Sequence, residues 1–252
     1  MDKYTLKVAF KKSFFGMVWR IEADTARNLL AVETRNTETG KPLFSAFDSR
    51  TGVSFIHEKP YGDRNWALAG TADRKLVIRS YGQNSPEGAG IACIDANNGH
   101  VLWEQFHYVL VGMAGTRLAV RHRNLAGGYE QHLDLATGDL VKTGTTAGHP
   151  EEAPQVVIPL RYAYGIPDSL ANYPAHGDIF YCEIGSRQVW AFHEAIQDMY
   201  RVRIVISSGL TIVADRVVLP DLVKMLPELF FVIGNQLFIV SDNKQEIVSY
   251  LV

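Results

Sequence analysis

Residues Gly90 to Gln105 read GIACIDANNGHVLWEQ. An alternating strand-like run, Ile91-Ala92-Cys93-Ile94, stops at Asp95, and a second run, Val101-Leu102-Trp103, follows the pair Asn98-Gly99. Asn-Gly between two apolar runs is a strong hairpin signal, because both central residues of a tight type I′ turn take positive φ. The stretch predicts two antiparallel strands meeting at Asn98-Gly99.

Variants of this unit recur. Leu43 to His57 (LFSAFDSRTGVSFIH) places Asp48 and Gly52 around its turn, and Tyr129 to Val141 (YEQHLDLATGDLV) places Asp134 and Gly138 there. In Asp178 to His193 (DIFYCEIGSRQVWAFH), Glu183 replaces the aspartate and the turn is Gly185-Ser186. Asp48 to Asp95 is 47 residues and Asp95 to Asp134 is 39, close to the period of a four-stranded propeller blade. A second repeated piece precedes these hairpins. Trp66–Gly70 runs into Leu76–Arg79, Tyr108–Gly112 into Leu118–Arg121, Phe230–Gly234 into Leu237–Val240 and, more weakly, Trp19–Ala23 into Leu30–Glu33. Each reads as two short strands and a polar turn, and adding the following hairpin makes four strands. The last copy supplies three strands before Val252, and Tyr4 to Phe10 is expected to add the fourth, closing the ring with the chain's own termini and removing exposed sheet edges.

The expectation is an all-β, small β-propeller of five or six four-stranded blades in a single domain, residues 1–252, with a β-sandwich as the alternative. Thr143 to Pro159 and Tyr164 to Gly177 read as loops, and Leu219 to Leu226 as a short helix opened near Pro220 and ended by Pro227.

Composition excludes some function classes. A formal net charge of −2 supplies no basic field for a phosphate backbone, so no nucleic-acid partner is expected. The local cluster Arg117, Arg121, His122 and Arg123 reads as a solvated strand edge. No window approaches a membrane span, and the N-terminal MDKYTLKVAFKKS lacks the apolar core of a secretion signal. No membrane and a cytoplasmic location are the expectations. Cys93 and Cys182 sit in apolar runs and read as free buried thiols.

The segment IACIDANNGHVLWEQ resembles the quinoprotein-type (PQQ-type) propeller repeat, whose alanine-rich strand ends in Asp-x-x-x-Gly and continues into a Leu-Trp strand. The resemblance is good over Ile91–Glu104 and fair over Leu43–His57 and Tyr129–Val141. It implies architecture and no activity. Quinone-cofactor dehydrogenases of that type carry an adjacent cysteine pair, which Cys93 and Cys182 do not form, so no cofactor is expected. The whole chain also resembles bacterial domain-of-unknown-function proteins of this length with degenerate propeller repeats.

Asp48, Asp95 and Asp134 read as turn caps rather than calcium ligands, since an EF-hand needs oxygen ligands through twelve residues. The eight histidines show no zinc spacing, although His122 and His132 lie on neighbouring expected strands. No nucleophile elbow, phosphate loop or dinucleotide fingerprint occurs, so no catalytic or metal residue is named. Trp19, Trp66, Tyr108 and Phe230 hold matching positions, either rimming a channel or wedging adjacent blades apart, while Trp103 and Trp190 read as core. Tyr164 and His176 belong to an aromatic loop suited to a partner contact. These observations lean away from an enzyme. They favour a binding or interaction module for a protein or small molecule, with ligand-binding candidates Trp19, Trp66, Tyr108, Phe230, Tyr164 and His176. A propeller-lactonase-like hydrolase or isomerase is the alternative.

Overall fold

Hairpins dominate the chain because its turn residues repeat more faithfully than its strands do. The structure, a computed structural model, describes residues 6–82, 88–125, 129–141 and 155–252. Two compact units form: Phe14–Ala153, and Met1–Ser13 together with Pro154–Val252. The first strand, β1 (Lys7–Ser13), belongs to the latter.

In the Phe14–Ala153 unit, β2 (Met17–Asp24), β3 (Leu29–Arg35), β4 (Pro42–Asp48) and β5 (Ser54–Pro60) form one antiparallel sheet in chain order. A second holds β6 (Trp66–Ala72), β7 (Lys75–Tyr81), β8 (Gly88–Asp95) and β9 (Val101–Gln105). A third holds β10 (Tyr108–Ala114), β11 (Arg117–His122) and β12 (Gln131–Asp134), extended by a bridge between Leu133 and Leu140. Each is the strand pair plus hairpin expected of a blade. The strands follow chain order without crossing, which is a propeller meander and not a sandwich.

The middle sheet is covered on both faces. Leu76, Ile78, Ala92 and Ile94 pack with Leu29, Ala31, Phe44 and Ala46 of the first sheet. Val77, Ile91 and Cys93 pack with Leu110, Leu118, Val120 and Leu133 of the third. Successive side chains of a strand point to opposite faces, so a strand buried on both sides is apolar at every position. That is why Ile91-Ala92-Cys93-Ile94 is continuously apolar and not alternating.

The turn between Asp95 and His100 is wider than a two-residue type I′ turn. The Asp95 N–H donates to the His100 carbonyl at 2.9 Å, and the Gly99 N–H to the Asp95 carbonyl at 2.7 Å. Asp95 Oδ1 accepts the Asn97 N–H at 2.8 Å. Gly99 has φ +73° and Asn98 does not need positive φ, because the aspartate side chain holds the turn open. Asp48 does the same for Arg50 and Thr51, and Asp134 for Ala136 and Thr137. The capping role expected of the three aspartates is their role. Asn36 makes a fourth copy between β3 and β4, accepting the Glu38 and Thr39 N–H groups.

In the other unit, β14 (Leu160–Arg161), β15 (Ala175–Ile184), β16 (Arg187–Ile196), β17 (Met199–Ser208) and β18 (Thr211–Leu222) form one sheet in chain order. The remaining sheet orders β13 (Val156–Val157), β19 (Phe231–Ile233), β20 (Gln236–Val240), β21 (Glu246–Leu251) and β1 side by side. β1 pairs antiparallel with β21, from Lys7 opposite Leu251 to Ser13 opposite Glu246. The N-terminus thus completes the last sheet, three residues later than the sequence suggests. Five sheets form among the described residues, within the five or six blades expected.

Four local expectations are corrected. Leu219–Leu226 is not a helix: Leu219 and Leu222 pair with Val202 and Tyr200 as the end of β18, with Asp221 at φ +55°. Burying those two leucines against the sheet outweighs helical spacing. Ala175–Gly177 is strand and not loop, leaving a 3₁₀ turn at Asp168–Leu170. Arg117, Arg121 and His122 lie on β11, the middle strand of its described sheet rather than an edge, with Arg123 just past its end. His122 stands opposite Tyr108 and His132 opposite Ala119, so these histidines do not face each other. Most of the loop Thr143–Pro159 lies outside the described residues.

Candidate functional site

Within the Phe14–Ala153 unit a cavity of about 200 Å³ opens between the β4–β5 hairpin and the β8–β9 hairpin. Its floor is buried Phe44, Ile56 and Ile94, and its rim is Lys59, Pro60, Tyr61, His100 and Val101. Gly99 forms one wall, with Lys59 Cδ 2.5 Å and Nζ 3.0 Å from where a Cβ would stand. The Lys59 stem therefore lies along glycine backbone that any side chain would obstruct. Among the described residues, the Lys59 ammonium and His100 imidazole make no hydrogen bond or ion pair. Tyr61, by contrast, donates its hydroxyl to Glu104, and burial followed by that bond pushes the phenol up. An apolar floor with a few convergent polar groups is the general form of a small-ligand site.

The six residues singled out from sequence fall into separate environments. Trp19, Trp66 and Tyr108 belong to one unit, Phe230, Tyr164 and His176 to the other. Trp66 is buried in the core between the first two sheets, edge-on to Tyr61 at 4.9 Å. Phe230 is buried in the core of its own unit. These two wedge sheets, as the packing alternative has it. Trp19 is 68 % exposed, with the Arg35 guanidinium 5.9 Å over its ring. It is the extra residue of a bulge between Val18 and Arg20, a feature repeated at Leu68/Gly70 and Leu110/Gly112. Tyr108 is half-buried against His122. Tyr164 is 86 % exposed beside Tyr162. His176 lies 5.6 Å from Tyr200 and opposite His193. Trp190 is buried and donates to Ser207 Oγ at 3.0 Å, and Trp103 donates to the Leu135 carbonyl at 2.9 Å. None of these residues lines the cavity except by way of Trp66's partner Tyr61.

Sequence reading missed the buried acids, and all of them serve the chain itself. Glu33, fully buried on β3, accepts the Leu68 N–H of β6 at 2.6 Å. Arg35 Nη2 sits 2.6 Å from its other oxygen and also donates to the Trp66 carbonyl at 2.8 Å. Desolvation nevertheless pushes the Glu33 carboxyl up, against the Leu68 hydrogen bond and the Arg35 charge. Glu58 has φ +45°, which aims its carboxylate at the Phe15 and Gly16 N–H groups, each at 2.8 Å. Glu194 is gripped by Arg201 and Arg203, and Arg203 also holds Asp215, which accepts the Tyr173 hydroxyl. Burial and Asp215 together push that phenol up to about 12. Cys93 and Cys182 are free, buried thiols, raised by desolvation to about 12 and about 11. Among the described residues no group of three or more His, Cys, Asp or Glu is arranged to hold a metal. No helix among them is long and apolar enough to cross a membrane.

Residues 23–103 match the family described as Domain of unknown function (DUF4905). The match runs from the end of β2 into β9 and includes every residue lining the cavity, Phe44 through Val101. No curated protein sequence matches the chain. Among solved structures, the chain is similar to BamB from Moraxella catarrhalis, with TM-score 0.31 and 14 % identity over 98 % of this chain and 100 % of that one. It is similar to the β-propeller domain of the Trilobed protease from Pyrococcus furiosus, with TM-score 0.35 and 8 % identity over 93 % of this chain and 65 % of that one. A europium-containing methanol dehydrogenase gives TM-score 0.31 and 13 % identity over 96 % and 52 %. The chain thus spans between half and two-thirds of the latter two structures.

Proposed function

We propose that this protein is a non-catalytic binding module and that the cavity between the β4–β5 and β8–β9 hairpins takes a small ligand. The observation that carries the reading is the cavity's make-up: a buried apolar floor under two rim side chains, Lys59 and His100, that have no partner among the described residues. Buried acids elsewhere are already bound to backbone N–H groups or arginines, which favours binding over acid–base chemistry. The test is a ligand-observed NMR screen of small aromatic and aliphatic fragments, with Ile56→Trp as the filled-cavity control. Fragments that bind the wild type and lose binding in Ile56→Trp support the reading. A screen without hits, or hits indifferent to that substitution, overturns it.

A second reading, contact with a partner protein, rests on the exposed apolar residues Phe15, Met17 and Trp19, two apart along one side of the chain entering β2. Replacing Trp19 by Ser is expected to abolish that contact while leaving fragment binding intact, as measured by co-purification of a defined partner. For the hydrolase or isomerase alternative, no group of three or more His, Cys, Asp or Glu among the described residues is arranged to hold a metal, and the cavity lining carries no carboxylate. On the same reading the chain is one domain with a cytoplasmic location, as its continuous repeat pattern and its N-terminal sequence suggest.

A further inference from the structure

The sheet-to-sheet contact that holds the cavity occurs twice in the Phe14–Ala153 unit, and the two copies differ at two residues. At the contact between the second and third sheets, Trp103 stands opposite Cys93, two residues before Asp95, and Gln105 opposite Ile91, four before it. The Trp103 indole lies against the next sheet's turn glycine, its Cδ2 2.6 Å from where a Gly138 Cβ would be. Gln105 donates to the Gly138 carbonyl at 3.0 Å. At the contact between the first and second sheets, register puts Ile56 opposite Ala46, two before Asp48, and Lys59 opposite Phe44, four before it. At the equivalent glycine, Gly99, the place a Cβ would take lies 2.5 Å from Lys59 Cδ and 3.2 Å from Ile56 Cγ2. An isoleucine thus replaces the indole and a lysine replaces the glutamine.

The cavity is the space this exchange leaves. Isoleucine is a smaller side chain than the indole it replaces, so apolar volume opens beside it over Phe44 and Ile94. At about 200 Å³, it is larger than cavities of roughly 150 Å³ known to take a benzene ring. The glutamine's replacement adds a cationic head at the rim, where Gln105 in the other copy only satisfies a carbonyl. No carboxylate lines the cavity, and Glu104 on β9 accepts the Tyr61 hydroxyl. The His100 imidazole borders the same rim as a further polar group. A planar ring to fill the floor and an anionic group to meet the ammonium are therefore both called for.

Resting on the binding-module reading above, we propose that the cavity's ligand is an aromatic carboxylate of about indole size, its ring between Phe44, Ile56 and Ile94 and its carboxylate on Lys59. A charge-assisted hydrogen bond is roughly twice as strong as a neutral one, so removing it should weaken binding about tenfold or more.

The experiment uses the full chain, with indole-3-acetate and its neutral isostere indole-3-acetamide as probes, read by calorimetry and by backbone amide shifts. Indole-3-acetate should bind at least about tenfold tighter than the amide, shifting Ile94, Gly99 and His100. Lys59→Met should erase that preference, bringing the acid's affinity down to the amide's in the same protein. Ile56→Trp, which restores the repeat's own indole, should abolish binding of both; Lys59→Met keeps the test open should that larger side chain fail to fold. Equal binding of acid and amide to the wild type would overturn the carboxylate assignment and leave the cavity reading standing. No shift with either probe would overturn both.

Discussion

Glu33→Ala is the most incisive test of how adjacent sheets are held together. The Glu33 carboxylate is fully buried on β3, takes the Leu68 N–H of β6 on one oxygen and faces Arg35 with the other. Removing it leaves the Leu68 N–H without an acceptor in a dry contact, which costs about 1–3 kcal/mol. It also leaves Arg35, 15 % exposed in its side chain, without its counter-charge. Breaking a buried pair from one side costs about 3–5 kcal/mol in all. For a chain of this size that lowers Tm by roughly 6–20 °C. Arg35 keeps its bonds to the carbonyls of Gly40, Arg64 and Trp66, which sets the loss toward the lower end. Glu33→Gln should fall between wild type and alanine, because one amide oxygen can serve Leu68 or Arg35 but not both. Urea unfolding of the three proteins measures this. A loss below about 1 kcal/mol for alanine, or equal losses for alanine and glutamine, would refute the clamp. Because burial raises the Glu33 pKa, its folded form holds a proton more tightly than the unfolded one. Its ionisation therefore subtracts stability as pH rises above 4.5, and Glu33→Gln should flatten that part of the pH profile.

Asp48→Ala should cost about 1–2 kcal/mol, since Oδ1 accepts the Arg50 and Thr51 N–H groups and the Thr51 hydroxyl. Asp48→Asn should be nearly neutral, as Asn36 already performs the same task one turn earlier, and chemical denaturation reads both. Native protein should react with a thiol reagent at neither Cys93 nor Cys182 on the timescale of minutes, and with both in denaturant. Rapid native labelling would contradict their burial. His193 accepts the Leu226 N–H on Nε2 at 3.0 Å, and burial and then His176 lower its pKa. The unfolded chain binds the extra proton, so stability should fall as pH drops below 6.5 and the fall should shrink in His193→Gln. If the chain is one folding domain, calorimetry should show one unfolding transition; two would divide it at the boundaries Ser13/Phe14 and Ala153/Pro154.

The blades were legible in the sequence because their determinants are local. An aspartate four residues before a glycine makes its own turn, and the flanking strands follow, so Asp48, Asp95 and Asp134 located three hairpins and the period gave the fold. Asn36-Thr-Glu-Thr-Gly40 carried the same signal under a different residue type. What stayed illegible depends on register between sheets. The helical spacing of Leu219–Leu226 yields to leucines buried against Tyr200 and Val202. Glu33 looks like an ordinary strand acid until Leu68 of the next sheet presents its N–H. Trp66 and Phe230 look like Trp19 in the repeat, yet burial separates them, because equivalent positions in degenerate blades face different neighbours. The cavity exists only where Ile56 meets Gly99 across two hairpins, and no spacing within either one reveals that an indole is replaced there. The sequence by itself determined the strands and their turns, which depend on contacts within a few residues. Tertiary structure decided which acids are buried, which aromatics are exposed and where a ligand could sit, because those follow from which faces two separate sheets bring together.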